Sequence, residues 1–171
     1  MNNNWLLTLW LVVTHGLGAP QASYFDELQK WQMQNSAQQY QSFGDLLIFA
    51  SFSMPEQSLR QLIAEVHRVN GHLIMRGLVN NSFKDTTREI YRLIQDSRQG
   101  GVAIDPTLFK KFNIEKVPAF VVVDHHDLSR QLCAKYDVIY GNVSLEYALR
   151  KIARDGEQKD LAQSILRARG V

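Results

Sequence analysis

The stretch from Asp45 to Leu59, with the sequence DLLIFASFSMPEQSL, constrains the fold more than any other part of this chain. Leu46 to Phe52 is an almost unbroken apolar run, which is too short to span a membrane and typical of a strand buried on both faces. Ser53 and Met54 end the run, and Pro55 suits the first turn of a helix, where its missing N–H costs nothing. The pattern predicts a strand that enters a helix through a tight corner, where α/β folds commonly hold functional groups.

The composition is that of an ordinary globular chain of 171 residues, because its 45% of hydrophobic residues is enough to build a core. Lys and Arg are scattered among Asp and Glu, and the formal net charge is only +2, so the charge pattern does not indicate nucleic-acid binding. Cys133 is the single cysteine of the sequence. A sequence with only one cysteine cannot form an internal disulfide, a CxxC redox pair or a cysteine-based zinc site.

The N-terminus carries an apolar run, Trp5 to Val13, of the length found in signal peptides. Small residues follow it, and Gly18 and Ala22 offer favourable cleavage positions. The basic residues that usually precede such a run are missing. An N-terminal helix of the fold is the alternative interpretation, but no polar face interrupts the run. We therefore predict that residues 1–22 form a signal peptide and that the protein is exported.

The rest of the chain divides into three predicted parts. Residues 23–43 are rich in Gln and are expected to form an N-terminal helical segment, with Phe25, Leu28 and Trp31 as an apolar stripe in its first half. Residues 44–156 carry alternating strand and helix patterns and are expected to form one α/β domain. Residues 157–171 are polar and are expected to form a partly helical C-terminal tail.

The expected order of elements in the domain is βαβα followed by ββα. The predicted strands cover residues 46–52, 73–79, 102–104, 117–123 and 132–136, and the predicted helices cover residues 55–69, 86–96 and 106–112 and a segment capped by Ser144. The first two strands need a right-handed crossover and should be parallel, whereas the last two are joined by a short turn and should be antiparallel. We therefore predict a thioredoxin-like α/β fold, in which a mixed sheet is flanked by helices.

Two proline motifs resemble the frame of a thioredoxin. A thioredoxin begins its first helix with Cys-x-Pro-Cys and places a cis-proline, preceded by Val or Ile, before its third strand. This chain has Ser53-Met54-Pro55-Glu56 at the first place and Val117-Pro118 at the second. Ser53 and Glu56 stand where the two cysteines would be, so the CxxC pair needed for thiol–disulfide exchange is absent.

We predict no catalytic residue, no metal and no cofactor. Ser53 would need a base to act as a nucleophile, and Glu56 is expected to form a capping box with Ser53 rather than a catalytic pair. His125 and His126 lie in a predicted turn, and adjacent histidines usually point apart. Cys133 is expected to be a buried, inert thiol in a strand.

A cis bond at Pro118 would place the backbone of Val117 beside the corner that follows the first strand. In thioredoxin folds that edge receives an extended peptide, so the frame implies a groove that binds a partner without chemistry. The alternative is that Pro118 only shapes the entry to its strand. The candidate binding residues are Phe52, Ser53, Met54, Pro55, Val117 and Pro118.

Phe52 and Met54 are the strongest candidates for contact with a partner. Apolar side chains at such a corner would be unfavourably exposed on a monomer, whereas they suit the centre of an interface. The alternative for Phe52 is that it completes the core.

Four phrases of the sequence, FASFSMP at 49–55, MRGL at 75–78, IDPTLF at 104–109 and VPAFVV at 117–122, resemble the TrbC family of F-type conjugative transfer systems. The resemblance extends from about Asp45 to Arg154. It implies a non-enzymatic pilus-assembly component of a type IV secretion machine, located in the periplasm of a Gram-negative bacterium. It also implies that the chain acts with TraW, or with other channel components, and does not contact the transferred DNA.

Two other functions remain open from the residues alone. The groove could serve a chaperone-like binder of pilin or another extended peptide, which overlaps with an assembly role. The second is that of a thiol oxidoreductase or isomerase, and the single cysteine opposes it.

Arg76 and Gly77 interrupt the second predicted strand with a charge that must reach solvent or a carboxylate. Asp105 is a candidate partner for Arg76. Because Asp105 precedes Pro106, it could also cap the turn that carries Phe109. We expect structural roles for these residues.

Overall fold

The computed structural model describes residues 45–94, 101–129 and 135–170. The predicted signal peptide, the predicted helical segment at 23–43 and Cys133 lie outside the described residues. The strands are β1 (Leu46–Ala50), β2 (His72–Met75), β3 (Val102–Ile104), β4 (Ala119–Val123) and β5 (Tyr136–Tyr140). The helices are α1 (Glu56–Arg68), α2 (Phe83–Ile94), α3 (Pro106–Lys111), α4 (His125–Ser129), α5 (Leu145–Asp155) and α6 (Lys159–Ala168), with a short 3₁₀ turn at Val79–Asn81.

The five strands form one mixed sheet in the order β3-β2-β1-β4-β5. β1 is parallel to β2 and antiparallel to β4, so Ile48 lies between Leu73 and Phe120. β2 is parallel to β3, and β4 is antiparallel to β5. These directions confirm the predicted thioredoxin-like arrangement, and they place β1 at the centre of the sheet.

β1 is buried along its whole length because helices cover both faces of the sheet. On one face, Leu46, Ile48 and Ala50 belong to a core built with α1, α2, α5 and α6. On the other face, Leu47 and Phe49 pack with α3 and the residues that follow it. The sheet therefore separates two cores, and the apolar run that defines β1 contributes to both.

Several predicted boundaries differ from the structure. β2 ends at Met75 instead of continuing to residue 79, because its partner strand β3 ends at Ile104, opposite Met75. Arg76 therefore follows the strand rather than interrupting it. The last strand lies at Tyr136–Tyr140 instead of 132–136, because all five of its residues pair with the five residues of β4. The turn expected after β4 contains the short helix α4.

The segment predicted as a partly helical tail contains α6. Ala162, Ile165 and Leu166 are buried in the core on the α1 side of the sheet. None of the helices in the described ranges has both the length and the apolar character to cross a bilayer.

A buried carboxylate joins α1 to α5. Glu65, which is only 8% exposed, accepts a hydrogen bond from the backbone N–H of Leu145 at 3.2 Å and one from the Gln61 side chain at 3.3 Å. Leu145 begins α5, whose predicted cap is confirmed by a bond from the Tyr147 N–H to the Ser144 hydroxyl at 3.2 Å. A carboxylate at this position also interacts favourably with the positive end of the α5 dipole.

We expect Glu65→Ala to lower the free energy of unfolding by about 1–3 kcal/mol, because the N–H of Leu145 would lose its partner in a buried site. Urea denaturation followed by circular dichroism measures the change. Glu157→Ala, at an exposed position whose carboxylate lies 3.8 Å from Lys135, is the matched control and should change stability by less than about 0.5 kcal/mol. An equal effect of both substitutions would contradict this role for Glu65.

The pH dependence of stability tests the environment of His72, the first residue of β2. Partial burial lowers the pKa of His72 below its ordinary value, so the unfolded chain binds a proton more readily than the folded chain. Stability should therefore fall as the pH drops below about 6.5, by at most about 1.4 kcal/mol per pH unit for one proton. His72→Gln should flatten the pH profile of unfolding between pH 7 and 5. His67→Gln, at an exposed position, is the control, and an unchanged profile in His72→Gln would contradict the assignment.

Candidate functional site

The predicted binding residues lie at one edge of the sheet, the corner edge. The parallel strands β1, β2 and β3 all end there, and β4 begins there because it is antiparallel to β1. Phe49 of β1 lies opposite Ala119 of β4, so the corner after β1 and the Val117–Pro118 dipeptide before β4 belong to the same edge. This edge also carries Arg76, immediately after β2. Residues from separate parts of the sequence thus meet at the end of the central strand.

The corner, residues 51–55 between β1 and α1, is a tight turn in which the N–H of Met54 donates to the carbonyl of Ser51 at 3.0 Å. The hydroxyls of Ser51 and Ser53 are hydrogen-bonded at 3.0 Å, and the N–H of Ser53 donates to the Ser51 hydroxyl at 3.3 Å. Pro55 occupies the N-cap position of α1, and its carbonyl accepts the first helical bond from Leu59. The Ser53 side chain therefore stabilises the turn and does not cap the helix.

The predicted capping box between Ser53 and Glu56 is wrong. The Glu56 carboxylate instead accepts hydrogen bonds from Arg92 of α2 and, at 2.9 Å, from Arg60 one turn along α1. These bonds, the one from Arg92 first, lower the pKa of Glu56. Arg60 also donates to the carbonyl of Arg92 at 2.8 Å. Glu56 is thus an ionised link between two helices, and it is not placed as a base for Ser53.

Phe52 and Met54 are half-buried and pack against the core on the α1 side of the sheet. Each side chain therefore serves the fold and exposes only part of its surface. This placement agrees with the alternative that Phe52 completes the core. Their role in partner contact stays a prediction.

The peptide bond between Val117 and Pro118 is cis, as predicted. The carbonyl of Pro118 accepts a hydrogen bond from the N–H of Gly141 at 3.0 Å. Val117 is half-buried and packs against the core on the α3 side, but its backbone forms no hydrogen bond with any described residue. Among the described residues, the N–H and the C=O of Val117 thus have no hydrogen-bond partner at the start of β4.

Asp105 has the predicted capping role. Its carboxylate, in a residue that is 8% exposed, accepts hydrogen bonds from the N–H groups of Thr107 at 2.8 Å and Leu108 at 3.2 Å. Arg76 reaches solvent, and its guanidinium carbon lies 6.0 Å from the centre of the Phe109 ring. The cap fixes α3 beneath Arg76, and the guanidinium lies over Phe109 rather than pairing with Asp105.

His125 and His126 do not point apart, so that expectation is wrong. Their ring centres are 3.9 Å apart, because Nδ1 of His125 lies 2.6 Å from the Asp45 carboxylate and the chain turns into α4 at this point. One possible metal-binding atom each from Asp124, His125 and His126 lies within 4.8 Å of the others. This group follows the carboxyl end of β4, at the edge opposite the corner. The prediction that the protein uses no metal stays a prediction.

Two exposed apolar residues of the corner edge escaped the sequence analysis. Leu78 is 41% exposed and follows β2, and Tyr140 is 43% exposed at the end of β5. The Tyr140 hydroxyl donates to the carbonyl of Asn113 at 3.4 Å, and burial raises the pKa of Tyr140. Leu78 lies inside the predicted strand at 73–79, and Tyr140 lies beyond the predicted strand at 132–136. The correct strand ends would have been needed to find both residues.

Comparison with known proteins identifies the family. Residues 48–152 match the family model described as type-F conjugative transfer system pilin assembly protein. The chain is 34% identical over 148 residues to the periplasmic protein TrbC of Escherichia coli K12. The aligned region covers 86% of this chain but only 65% of that relative's own length. No solved structure matches the chain.

The family match includes the corner, Arg76, Asp105 and the Val117–Pro118 dipeptide, and it confirms the resemblance found in the four sequence phrases. The chain therefore belongs to the TrbC family of F-type conjugative transfer systems.

Proposed function

We propose that this chain is a non-catalytic component of an F-type conjugative type IV secretion system, needed for pilus assembly and DNA transfer. In this proposal it is exported to the periplasm of a Gram-negative bacterium, residues 1–22 are removed, and it binds TraW or another channel component. The observation that carries the proposal is the match of residues 48–152 to a family of pilin assembly proteins. The name of the Escherichia coli relative supports the periplasmic location.

The chemistry of the corner supports a non-catalytic role. The sequence has no second cysteine to form a disulfide with Cys133. Ser53 is hydrogen-bonded to Ser51, and Glu56 is paired with two arginines. Nucleophilic catalysis would require a base positioned on the hydroxyl, and the nearest carboxylate in sequence is committed elsewhere.

We assign partner binding to the corner edge, where Phe52, Met54, Leu78 and Tyr140 each expose part of an apolar surface. Apolar and aromatic side chains that pack partly against the core of their own domain and expose the rest of their surface suit the centre of an interface. The proposed contact residues are Phe52, Ser53, Met54, Pro55, Val117 and Pro118, of which Pro118 is itself buried and so contributes through the position of Val117.

The proposal predicts that changes at the corner reduce recovery of TraW when the tagged chain is purified from the periplasm of conjugation-competent cells. Met54→Asp removes a contact that would be worth about 2 kcal/mol at the centre of an interface, so the affinity for TraW should fall by roughly 30-fold and less TraW should be recovered. Ser53→Arg places a large charged group on the exposed tip of the corner without touching the core, and it should have a similar effect.

Tyr91→Asp is the control, because Tyr91 is 67% exposed on α2 and is not one of the proposed contact residues. Thermal unfolding of every variant separates lost binding from lost folding, which matters for the half-buried Met54. If both folded corner variants recover TraW as well as the parent chain, the contact lies elsewhere. If the parent chain recovers no TraW or other channel component, the assembly role itself is contradicted.

A chaperone-like function is the second candidate, and the unpaired backbone of Val117 favours it. An extended peptide could pair with this N–H and C=O as an added strand. We expect synthetic peptides that tile the pilin sequence not to displace TraW from the chain in a fluorescence competition assay. Displacement by a pilin peptide, absent with a scrambled peptide of the same composition, would favour the chaperone function instead.

A further inference from the structure

A small pocket opens beside Arg76 at the corner edge of the sheet. Its volume is about 250 Å³, and it is lined by Arg76, Pro106, Phe109, Lys110, Asn113 and Ile114. The floor is apolar, since Phe109 and Ile114 are buried members of the core on the α3 side. The volume is smaller than the range of roughly 300–1,000 Å³ typical of sites for drug-sized ligands and cofactors. It suits a single side chain.

The rim of the pocket carries two positive charges and no acidic residue. Neither Arg76 nor Lys110 forms an ion pair with any carboxylate of the described chain. Arg60, Arg92 and Arg150, in contrast, are each paired with a glutamate. Arg76 and Lys110 therefore give the rim of this apolar pocket a positive charge that no carboxylate of the described residues neutralises.

The Arg76 side chain is held at the rim by the Phe109 ring, 6.0 Å from its guanidinium carbon. Cation–π contact of this kind orients a guanidinium without neutralising its charge. The ring is fixed in turn because Asp105 caps α3 and Phe109 packs edge-on against Phe49 of β1, with ring centres 4.8 Å apart. The cation thus sits over a rigid apolar floor.

The pocket adjoins the proposed partner surface. Val117 packs against the same core cluster as Phe109 and Ile114, and the Tyr140 hydroxyl donates to the carbonyl of Asn113. An extended segment that pairs with the free backbone of Val117 would run next to the pocket, and alternate side chains of a strand point to the same face. One such side chain could enter the pocket.

We propose that the pocket binds the carboxylate of an Asp or Glu side chain on an extended segment of the partner polypeptide. Arg76 supplies a planar donor pair that matches a carboxylate, and Lys110 adds a second charge from α3. The apolar floor takes the methylene groups of the entering side chain. This inference rests on the proposed function, because it names the chemistry by which the corner edge recognises its partner.

The test uses ¹⁵N-labelled chain purified from the periplasm and two capped peptides, Ac-Ser-Val-Glu-Val-Ser-NH₂ and its Gln counterpart. We expect the Glu peptide to bind at least 10-fold more tightly, with the largest chemical-shift changes at the amides of Arg76, Lys110 and Asn113. The preference should shrink when NaCl is raised from 50 to 500 mM, because the charges are close to solvent.

Arg76→Gln and Lys110→Gln should each reduce the preference for Glu, and the double variant should abolish it. Lys111→Gln is the matched control, since Lys111 is exposed on the same helix and does not line the pocket. The three substituted side chains, Arg76, Lys110 and Lys111, are all exposed, so thermal unfolding should stay close to that of the parent chain.

Equal binding of the Glu and Gln peptides, or an unchanged preference in the folded double variant, would overturn the proposal. A third peptide, Ac-Ser-Val-Gln-Val-Ser with a free C-terminus, carries its carboxylate on the main chain instead of on a side chain. If it bound more tightly than the Glu peptide, the assignment of the pocket to a side-chain carboxylate would be overturned. The peptide measurement does not involve TraW. A failed TraW pull-down therefore contradicts only the proposed function, and a lost Glu preference with TraW binding intact contradicts only the pocket.

Discussion

The burial of β1 on both faces is the constraint on which the rest of the structure depends. All five residues from Leu46 to Ala50 are buried, and they contribute alternately to the two cores. Such a strand can exist only at the centre of a sheet that is covered by helices on both sides. In this sheet β2 and β4 flank β1, and the carboxyl end of β1 lies at the edge where β2 and β3 also end.

That edge carries a thioredoxin-like frame without its redox pair. A fold does not determine a function, which depends on the side chains that the fold positions. Here the frame positions a serine bound to its neighbour, a glutamate bound to two arginines and an unpaired stretch of backbone at Val117. The same edge carries partly exposed apolar side chains and the cationic pocket. This combination is the basis of the proposal that the edge recognises another polypeptide.

Carboxylates in this structure mainly join elements of the fold. Glu56 connects α1 to α2, Glu65 connects α1 to the start of α5, and Asp105 caps α3. Exposed ion pairs add little stability individually, whereas a buried carboxylate that satisfies a helix N–H contributes more. Glu56 and Asp105 are therefore occupied by partners other than Arg76 and Lys110.

The sequence by itself determined the features that depend on near neighbours. The apolar run of β1, the cap at Asp105, the cap at Ser144 and the proline motif at Val117–Pro118 are each decided within about four residues, so local patterns identified them. The order of elements and the family phrases followed from the same local signals. Among the proposed binding residues, the corner and the Val117–Pro118 dipeptide were named in this way, and the structure places them at one edge of the sheet.

Only the tertiary structure decided the features whose partners are far apart in the chain. Glu56 pairs with Arg92, 36 residues away, and Glu65 meets the N–H of Leu145, 80 residues away. The ends of β2 and the position of β5 depend on which neighbouring strand supplies hydrogen bonds, and the facing of the two histidines depends on Asp45. The pocket combines Arg76 after β2 with the floor made by α3. No local pattern could reveal it, because its charge and its apolar surface come together only when the sheet is assembled.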